Sequence, residues 1–398
     1  MARYLVLTQL YPSGLSGTSV KTKHTLEVLL EQGHQLDVVC IHHTSLLRPQ
    51  LSWPAGIRIF VINKAVFSFL NFSYALQNFS LLWSLTPFRI KKMFDARFAT
   101  MVATLLTSEA YAAVLFDGYS TLQYLPTVKK SAQPPTQIYI DDEDITELMH
   151  QRWQQEKNPL LKLFFWTEWW KCRQYERRYF PQVSQLWAIS EQTLARLKPL
   201  TKAKAYVMPT IVPIFPKIFH TTGTKLVFTG LLSWLENVNG LRWFLQEAWP
   251  LIRAAHPRTQ LVVMGQMAKP EFIAELRSYP GVVYRGFVKD LRTVYRQAAV
   301  AVAPILINCG IKIKVVTYLS YGLPVVTTPQ STQGLGGLGG VLTGRTGPEF
   351  AAAVNQLLAN QSLRQRLSRE ALQTIRQHHS TPVLVSFFKQ VRLPGFGR

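Results

Sequence analysis

Short apolar runs alternate with helical patterns along the chain, and this alternation constrains the fold more than any other feature. In the first half, apolar β-type runs lie at 3–8, 35–41, 57–62, 112–116 and 137–141, with helical patterns at 19–33, 89–107 and 160–180. In the second half, apolar runs lie at 225–229, 260–263, 282–284, 300–304 and 324–327, with helical patterns at 238–255, 270–278, 290–298 and after 310. Strands that alternate with helices form parallel sheets. The sequence therefore predicts an α/β protein with two Rossmann-like domains.

The boundary between the two domains is predicted from a change in composition. Between about 198 and 224 the pattern gives way to several Pro-containing steps, which are typical of an extended connector. We expect an N-terminal domain over 1–205 and a C-terminal domain over 206–379. The remaining segment, 380–398, contains one more apolar stretch at 382–391 that is expected to return to the first domain.

Composition limits the chemistry and the partners. The three cysteines, Cys40, Cys172 and Cys309, have no metal-ligand spacing, which argues against a zinc site or a disulfide scaffold and favours a reducing compartment. The formal net charge of +22 calls for an anionic partner, namely nucleic acid, a membrane surface or a phosphorylated substrate. We expect no nucleic acid, because no DNA- or RNA-binding motif is present. Neither a signal peptide nor an uncharged 18-residue apolar span is recognisable.

The segment from 303 to 328 has the pattern of an anion site. An apolar strand is followed by Gly310, a helix start that carries Lys312 and Lys314, a stop at Gly322 and a second apolar strand. Unpaired backbone N–H groups and the positive end of the helix dipole favour a phosphate at such a position by about 0.3–1 kcal/mol. This segment is therefore predicted to bind a phosphate group, although two lysines that only solvate a helix end are the alternative.

The second half resembles glycosyltransferases of GT-B fold from the large retaining family four, in the subgroup with a GIK-type C-terminal domain. The matching positions are Gly230, Trp234, Asn237, Gly240, Trp243, Phe244, Gly286, Val288, Asp290, Leu291, Gly310, Ile311, Lys312, Lys314, Gly322 and Pro324 to Thr327. The first half is similar more weakly, through Gly14, Gly17 and the Gly33-His34 step before the second strand. The resemblance covers nearly the whole chain and implies two Rossmann-like domains that face a cleft.

The resemblance implies a nucleotide-sugar as donor substrate, with no metal and no separate cofactor. The donor would be bound by residues of both domains: Gly14, Gly17, Ser233, Asn237, Gly265, Arg285, Val288, Asn308, Gly310, Lys312, Lys314 and Thr317. Backbone N–H groups and cations stabilise the diphosphate as it leaves. Lys312 and Asp117 are the expected catalytic residues, with Asp142 and Asp144 on the acceptor side.

The sequence also departs from the family. Cys309 and Thr317 occupy the positions of two glutamates, and Asp117 follows the strand after which a histidine is expected. Loss of the second glutamate removes a charge-assisted hydrogen bond of about 1.5–3 kcal/mol. A noncatalytic partner or scaffold in glycan assembly is therefore the main alternative to an enzyme. A two-domain NAD(P) enzyme is a weaker one, since no GxGxxG motif follows the first strand.

An acidic cluster at 141–144 follows an apolar strand. Residues at the carboxyl end of a strand in an open α/β sheet face the ligand crevice. The resemblance to the glycosyltransferase family implies that this cluster lies on the acceptor side. A divalent-metal site and a solvated loop are the alternatives.

Two segments, 65–98 and 160–180, combine cations with large aromatic residues. Such a helix fits a lipid interface, where aromatic rings lie at headgroup depth and each cation adds about 1 kcal/mol against an anionic leaflet. A core helix with a charged outer face is the alternative. We expect a cytoplasmic protein that acts on a lipid-linked or polysaccharide acceptor at the inner face of the membrane.

Overall fold

The computed structural model describes residues 1–13, 17–43, 53–64, 84–215, 224–307, 313–332 and 338–397. The chain forms two compact units, the first made of Met1–Thr210 with Leu384–Arg398 and the second of Ile211–Val383. The sequence analysis placed the corresponding boundaries at 205/206 and 379/380.

Unit 1 is built on a parallel sheet with the strand order β3-β2-β1-β4-β5-β6-β7. Its strands are β1 (Arg3–Thr8), β2 (Gln35–His43), β3 (Ile57–Lys64), β4 (Ala113–Asp117), β5 (Thr136–Ile140), β6 (Gln185–Ala188) and β7 (Lys204–Val207). Its helices are α1 (Gly17–Glu31), α2 (Phe88–Met93), α3 (Ala96–Ser108), α4 (Leu125–Lys129), α5 (Ile145–Gln155), α6 (Pro159–Tyr179) and α7 (Glu191–Leu197). Short 3₁₀ turns lie at Tyr119–Tyr124, Phe180–Gln182 and Lys198–Leu200.

Unit 2 is built on a second parallel sheet with the order β10-β9-β8-β11-β12-β13. Its strands are β8 (Lys225–Thr229), β9 (Gln260–Met264), β10 (Val282–Gly286), β11 (Ala298–Ala303), β12 (Val325–Thr327) and β13 (Val341–Thr343). Its helices are α8 (Leu235–Trp243), α9 (Trp249–Ala255), α10 (Pro270–Ser278), α11 (Leu291–Tyr295), α12 (Ile313–Ser320), α13 (Gly347–Ala359) and α14 (Gln361–His378). A π-helical segment, Phe244–Ala248, joins α8 to α9, and a 3₁₀ turn lies at Pro329–Ser331. The predicted α/β architecture with two parallel sheets is confirmed.

Burial explains why these strands have continuous apolar sequences. All six residues of β11, Ala298–Ala303, are buried, as are all five of β4. Parallel strands covered by helices on both faces require apolar residues at every position rather than at alternate ones. Helix starts are marked instead by side chains that cap the first backbone N–H groups: Asp95, Asp144, Asn158, Ser190, Asp290, Thr346 and Asn360.

Several predicted elements differ in detail from the structure. The predicted connector contains β7, which pairs with β6 at the edge of the first sheet. The helix expected over 89–107 is interrupted at Phe94, and Asp95 then caps the new helix α3. The carboxyl-terminal part of unit 2 contains two consecutive helices, α13 and α14, because Asn360 ends one and caps the next. The helix expected over 290–298 is only Leu291–Tyr295, since β11 begins at Ala298.

The last part of the chain packs on unit 1. Helix α15 (Thr381–Gln390) buries Leu384, Phe387 and Phe388, and the rings of the two phenylalanines lie 5.2 and 5.9 Å from the ring of Trp187. The Tyr4 hydroxyl donates a hydrogen bond of 2.8 Å to the Pro394 carbonyl. Across the described ranges, every helix is too short or too polar to cross a lipid bilayer.

Candidate functional site

Each sheet has one point where the strand order reverses direction. In unit 1 this switch point lies between β1 and β4, and in unit 2 it lies between β8 and β11. Ligands of open α/β sheets bind outside the carboxyl ends of the strands at such points. Polar and charged side chains gather at both switch points.

In unit 2 the switch point holds a fixed cation. Lys314, near the start of α12, donates a hydrogen bond to the Asn237 side-chain carbonyl, and its ammonium lies 4.6 Å from the centre of the Phe228 ring. The Asn237 amide in turn donates a 2.9 Å bond to the Leu231 carbonyl. These contacts hold the positive charge of Lys314 beside the carboxyl end of β8.

Glycines let the backbone come close together around this lysine. A Cβ added at Gly230 would lie 2.8 Å from the Asn237 amide nitrogen, and one added at Gly265 would overlap the Gly230 carbonyl oxygen. A Cβ at Gly240 in α8 would overlap the Pro304 carbonyl oxygen. Three glycines of the sequence pattern are therefore required by packing at the ends of β8, β9 and β11.

Tyr318 fixes α12 to the end of β8, and the sequence analysis missed it. Its hydroxyl accepts a 2.7 Å hydrogen bond from the Thr229 backbone N–H and lies 2.7 Å from the Thr229 hydroxyl. Burial raises the pKa of Tyr318 to about 12, so the phenol stays neutral. Tyr318 lies one turn after Lys314 and therefore helps to position it.

Thr317 lies three residues after Lys314 on α12, on the same face of the helix, and is half-buried. The other predicted donor residues are more dispersed. Ser233 is exposed, with its hydroxyl 3.9 Å from the Met267 sulfur, and Val288 is half-buried just after β10. Arg285 is exposed and lines a cavity of about 170 Å³ on the sheet face under α11.

In unit 1 the switch point is acidic. Asp117 ends β4, and one of its oxygens accepts a hydrogen bond from the Thr22 hydroxyl of α1. Its other oxygen lies 3.7 Å from the Lys21 ammonium, and the side chains of Asp117 and Lys21 are each only 4% exposed. Lys21 also donates to the Asp141 carbonyl. The lysine thus partly neutralises a buried carboxylate at the centre of the sheet edge.

Asp142 is the second carboxylate of this edge. It accepts a 3.3 Å hydrogen bond from the Tyr119 backbone N–H. Its pKa is raised to about 7, mainly by burial and further by Asp117, while Lys21 opposes the shift. Gly118 has a φ of 97°, and a Cβ there would lie 2.9 Å from an Asp142 oxygen. A glycine is thus needed to bring Asp142 against the end of β4.

Asp141 points into the unit rather than outward. One of its oxygens accepts a 2.8 Å hydrogen bond from the Tyr139 hydroxyl, and the residue is 2% exposed. Burial and, to a lesser degree, Asp144 raise its pKa to about 6. Asp141 and Asp142 therefore both titrate near neutral pH.

The remaining acidic residues of the cluster hold the fold together. Asp144 caps α5 through the Glu147 N–H at 3.0 Å and receives two hydrogen bonds of 2.7 and 3.0 Å from Arg196. Arg196 also pairs with Glu176 at 2.8 Å, and Glu143 pairs with Arg89 at 2.8 Å. The contacts of Asp144 are those of a capping and ion-pairing residue. In the ranges that the structure describes, no three His, Cys, Asp or Glu side chains lie together as ligands for a metal ion.

Some predicted site residues lie outside the described residues: Gly14, Asn308, Cys309, Gly310 and Lys312. Gly17 begins α1. Lys21 and Thr22, which the sequence analysis missed, lie four residues before the buried Thr25 and Leu26 of α1. The helical period was the signal that would have placed both on the buried face.

Residues 223–360 match the family described as "Glycosyl transferases group 1". Among curated protein sequences, none matches this chain.

Solved structures of low sequence identity share the fold over almost the whole chain. S. aureus TarM, solved with fondaparinux, alpha-GlcNAc-glycerol and UDP, is similar with a TM-score of 0.70 and 9% identity over 99% of this chain and 100% of that one. Anabaena HepE, solved with UDP and glucose, is similar with a TM-score of 0.63 and 12% identity over 98% of this chain and 100% of that one. WaaG, a glycosyltransferase involved in lipopolysaccharide biosynthesis, is similar with a TM-score of 0.62 and 14% identity over 99% of this chain and 100% of that one. The fold is that of GT-B glycosyltransferases, and the family match supports a glycosyltransferase of the group 1 type.

Proposed function

We propose that this protein is a glycosyltransferase that moves a sugar, with retention of configuration, from a nucleotide-sugar to a lipid-linked or polysaccharide acceptor. It acts at the cytoplasmic face of a membrane. The match of residues 223–360 to group 1 glycosyl transferases supports the reaction class. The solved structures of TarM and HepE contain UDP, which supports a nucleotide donor.

The observation that carries the proposal is the fixed position of Lys314 at the switch point of unit 2. Asn237 and the Phe228 ring hold its ammonium where α12 begins. A cation and the positive end of a helix dipole together favour a diphosphate over a neutral ligand. We assign Lys314, Asn237 and Thr317 to the donor diphosphate and its sugar or ribose.

Unit 1 supplies the acceptor side in this proposal. When the sugar is transferred, the acceptor oxygen bonds to the anomeric carbon, the bond from that carbon to the diphosphate oxygen breaks, and the acceptor hydroxyl gives up its proton. Asp142 takes that proton, because a carboxylate with a pKa of about 7 is matched to proton transfer at neutral pH. Asp117 contributes through its negative charge, which raises the pKa of Asp142.

The second candidate is a noncatalytic partner in glycan assembly. Thr317 favours it, because the family pattern has a glutamate at this position of α12 and a threonine offers no negative charge to the ribose hydroxyls. Binding of a nucleotide without turnover would be the signature of this candidate.

Turnover of nucleotide-sugars separates the two candidates. Release of nucleotide from UDP-, GDP- and ADP-sugars is measured with the full chain, in the presence of extracted lipid and polysaccharide acceptors. Asp142→Asn is expected to lower turnover by about 10²-fold or more, since general base catalysis contributes that much. The matched control Glu191→Gln, at an exposed acidic residue of α7, should leave turnover unchanged. Nucleotide binding without turnover of any nucleotide-sugar would overturn the enzymatic function and support the noncatalytic partner.

The pH profile tests the role of Asp117. Its negative charge raises the pKa of Asp142, so Asp117→Asn should move the acidic limb of the pH–rate profile to lower pH. A profile that stays in place, with only the maximum rate reduced, would contradict this role.

A further inference from the structure

Large apolar side chains of α6 point into solvent. In the first half of this helix the exposed fractions are 78% for Leu160, 48% for Leu161, 58% for Leu163, 42% for Trp166 and 42% for Trp170. Single exposed apolar residues are common, whereas a cluster on one helix is typical of an interaction surface. These five residues account for nearly half of the large exposed apolar side chains in the described part of the chain.

Three of these exposed residues, Leu163, Trp166 and Trp170, belong to one stripe along the helix. At 100° per residue, Leu163, Trp166 and Trp170 lie on one line, and Arg173 and Arg177 continue it towards the carboxyl end. We call these five residues the α6 stripe. From Glu168 onwards the opposite side of the helix is buried, and its buried residues are Glu168, Lys171, Cys172, Tyr175, Glu176 and Tyr179. The stripe is therefore apolar in its first half and cationic in its second half.

The basic and acidic residues of α6 differ in their exposure to solvent. The exposed charged residues of the helix are all basic, namely Lys162, Arg173, Arg177 and Arg178. Both acidic residues are buried, with Glu168 paired to Lys171 at 2.9 Å and Glu176 paired to Arg196 at 2.8 Å. The outer surface of α6 thus presents positive charge without any exposed carboxylate of its own.

An aromatic stack supports one side of this surface. The rings of His150, Trp153 and Trp169 lie 5.3 to 5.6 Å apart between α5 and α6. The Arg173 guanidinium lies 5.1 Å from the centre of the Trp169 ring. These contacts give the stripe a defined orientation rather than a loose array of side chains.

The buried side of α6 touches the acidic switch point through one residue. The Tyr119 hydroxyl donates a 2.8 Å hydrogen bond to the Cys172 carbonyl, and the Tyr119 backbone N–H donates to Asp142. A surface that binds to the outer face of α6 would therefore lie one helix away from Asp142.

We propose that the α6 stripe docks unit 1 on an anionic lipid bilayer, with the leucine and tryptophans in the acyl boundary and the two arginines at the lipid phosphates. The apolar part of the stripe, from Leu163 to Trp170, extends about 10 Å along the helix axis, and its side chains would enter the acyl boundary as the apolar faces of interfacial helices do. A second copy of the chain fits this surface poorly, because it would bring basic face against basic face in a protein of net charge +22. This proposal rests on the proposed function in one respect: docking would bring a lipid-linked acceptor close to Asp142.

Flotation with liposomes tests the docking surface. The full chain is mixed with vesicles of phosphatidylcholine alone or with 30% phosphatidylglycerol, at low and at physiological salt. We expect binding to the anionic vesicles that weakens as salt rises. Arg173→Gln with Arg177→Gln should lower the partition coefficient about 30-fold, and Trp166→Ala with Trp170→Ala should lower it at least tenfold.

Matched variants in unit 2 control for general charge and apolar content. Arg369→Gln with Arg376→Gln removes two exposed arginines, and Leu235→Ala with Leu251→Ala removes two exposed leucines. Neither pair should change flotation. The docking surface is overturned if the chain does not float, if the stripe variants float as well as the control variants, or if the tryptophan pair abolishes self-association in solution instead. The nucleotide affinity of the same variants in solution separates a failure of membrane docking from a failure of the proposed function, because no residue of the α6 stripe is among the proposed donor-binding residues.

Discussion

The two switch points occupy the same place in their sheets and carry opposite charge. The unit 1 point holds Asp117 and Asp142 with one buried lysine, and the unit 2 point holds Lys314 with a neutral asparagine. The topology decides where a ligand binds in each sheet, and the side chains at the strand ends decide which ligand it is. In the proposed function, unit 2 therefore binds the anionic diphosphate, and unit 1 binds the acceptor hydroxyl group, which can donate a hydrogen bond to a carboxylate.

The two points also differ in how their charge is kept. Lys314 lies half-buried against an aromatic ring, and the ring face attracts its ammonium. Asp142 lies where burial and a neighbouring carboxylate raise its pKa to about 7. The charge of unit 1 therefore changes near neutral pH, whereas the ammonium of unit 2 is held in place by Asn237 and the Phe228 ring.

The largest effect is expected from Gly240→Ala, which tests whether the unit 2 point depends on close backbone packing. The new methyl group would overlap the Pro304 carbonyl oxygen, so the free energy of unfolding of unit 2 should fall by about 3 kcal/mol or more. Chemical denaturation, with hydrogen exchange to identify the unit that opens, measures this. Gly397→Ala is the control, because a Cβ there meets nothing within 4 Å. Equal stability of the two variants would contradict the packing argument.

A smaller effect is expected from Asp142→Asn, which tests the titrating charge of unit 1. The pKa of Asp142 is about 7 in the folded protein against 3.8 for an ordinary aspartate, so the folded state binds more protons between these values. The stability of the wild type should therefore fall as pH rises from about 4 to about 7, and that of the variant should fall less. We expect the difference in unfolding free energy to grow by about 2 kcal/mol in favour of the variant over this range. If the difference in unfolding free energy between the wild type and Asp142→Asn stays constant with pH, the pKa of Asp142 is not raised and this prediction is wrong.

The smallest effect is expected from Thr317→Glu, which restores the carboxylate of the family pattern to α12. A glutamate that accepts a hydrogen bond from the ribose should tighten nucleotide binding up to about tenfold. Thr317→Gln has a similar size without the charge and should give little gain. Calorimetric titration of both variants makes the comparison. Weaker binding by Thr317→Glu would place Thr317 away from the ribose.

The fold was largely predictable because its signals are local. The predicted runs at 3–8 and 270–278 coincide with β1 and α10, since apolar period and flanking residues define them. Strand β7 was missed because it is four residues long, pairs on one side only and lies among prolines and lysines.

The site was predictable only in part because its contacts join distant parts of the chain. Asp142 follows from the rule that polar residues after a strand face the ligand side, and Asp117 follows from the family resemblance. The partners of the site do not follow from any local rule, since Thr22 meets Asp117 from 95 residues away and Tyr318 meets Thr229 from 89. The pairing of Asp144 with Arg196 was likewise not predictable, because it requires α5 and α7 to be packed together.

Calorimetric titration with nucleoside diphosphates tests the central claim, the division of charge between the two switch points, most directly. UDP, GDP and ADP are titrated into the full chain, and the tightest is then titrated into Lys314→Met, Asp117→Asn and the exposed-lysine control Lys269→Met. The account predicts that Lys314→Met weakens binding about 10- to 100-fold, as expected for one charge-assisted hydrogen bond, while the other two stay within about twofold of the wild type. Unchanged affinity in Lys314→Met, or an equal loss in Asp117→Asn, would contradict it.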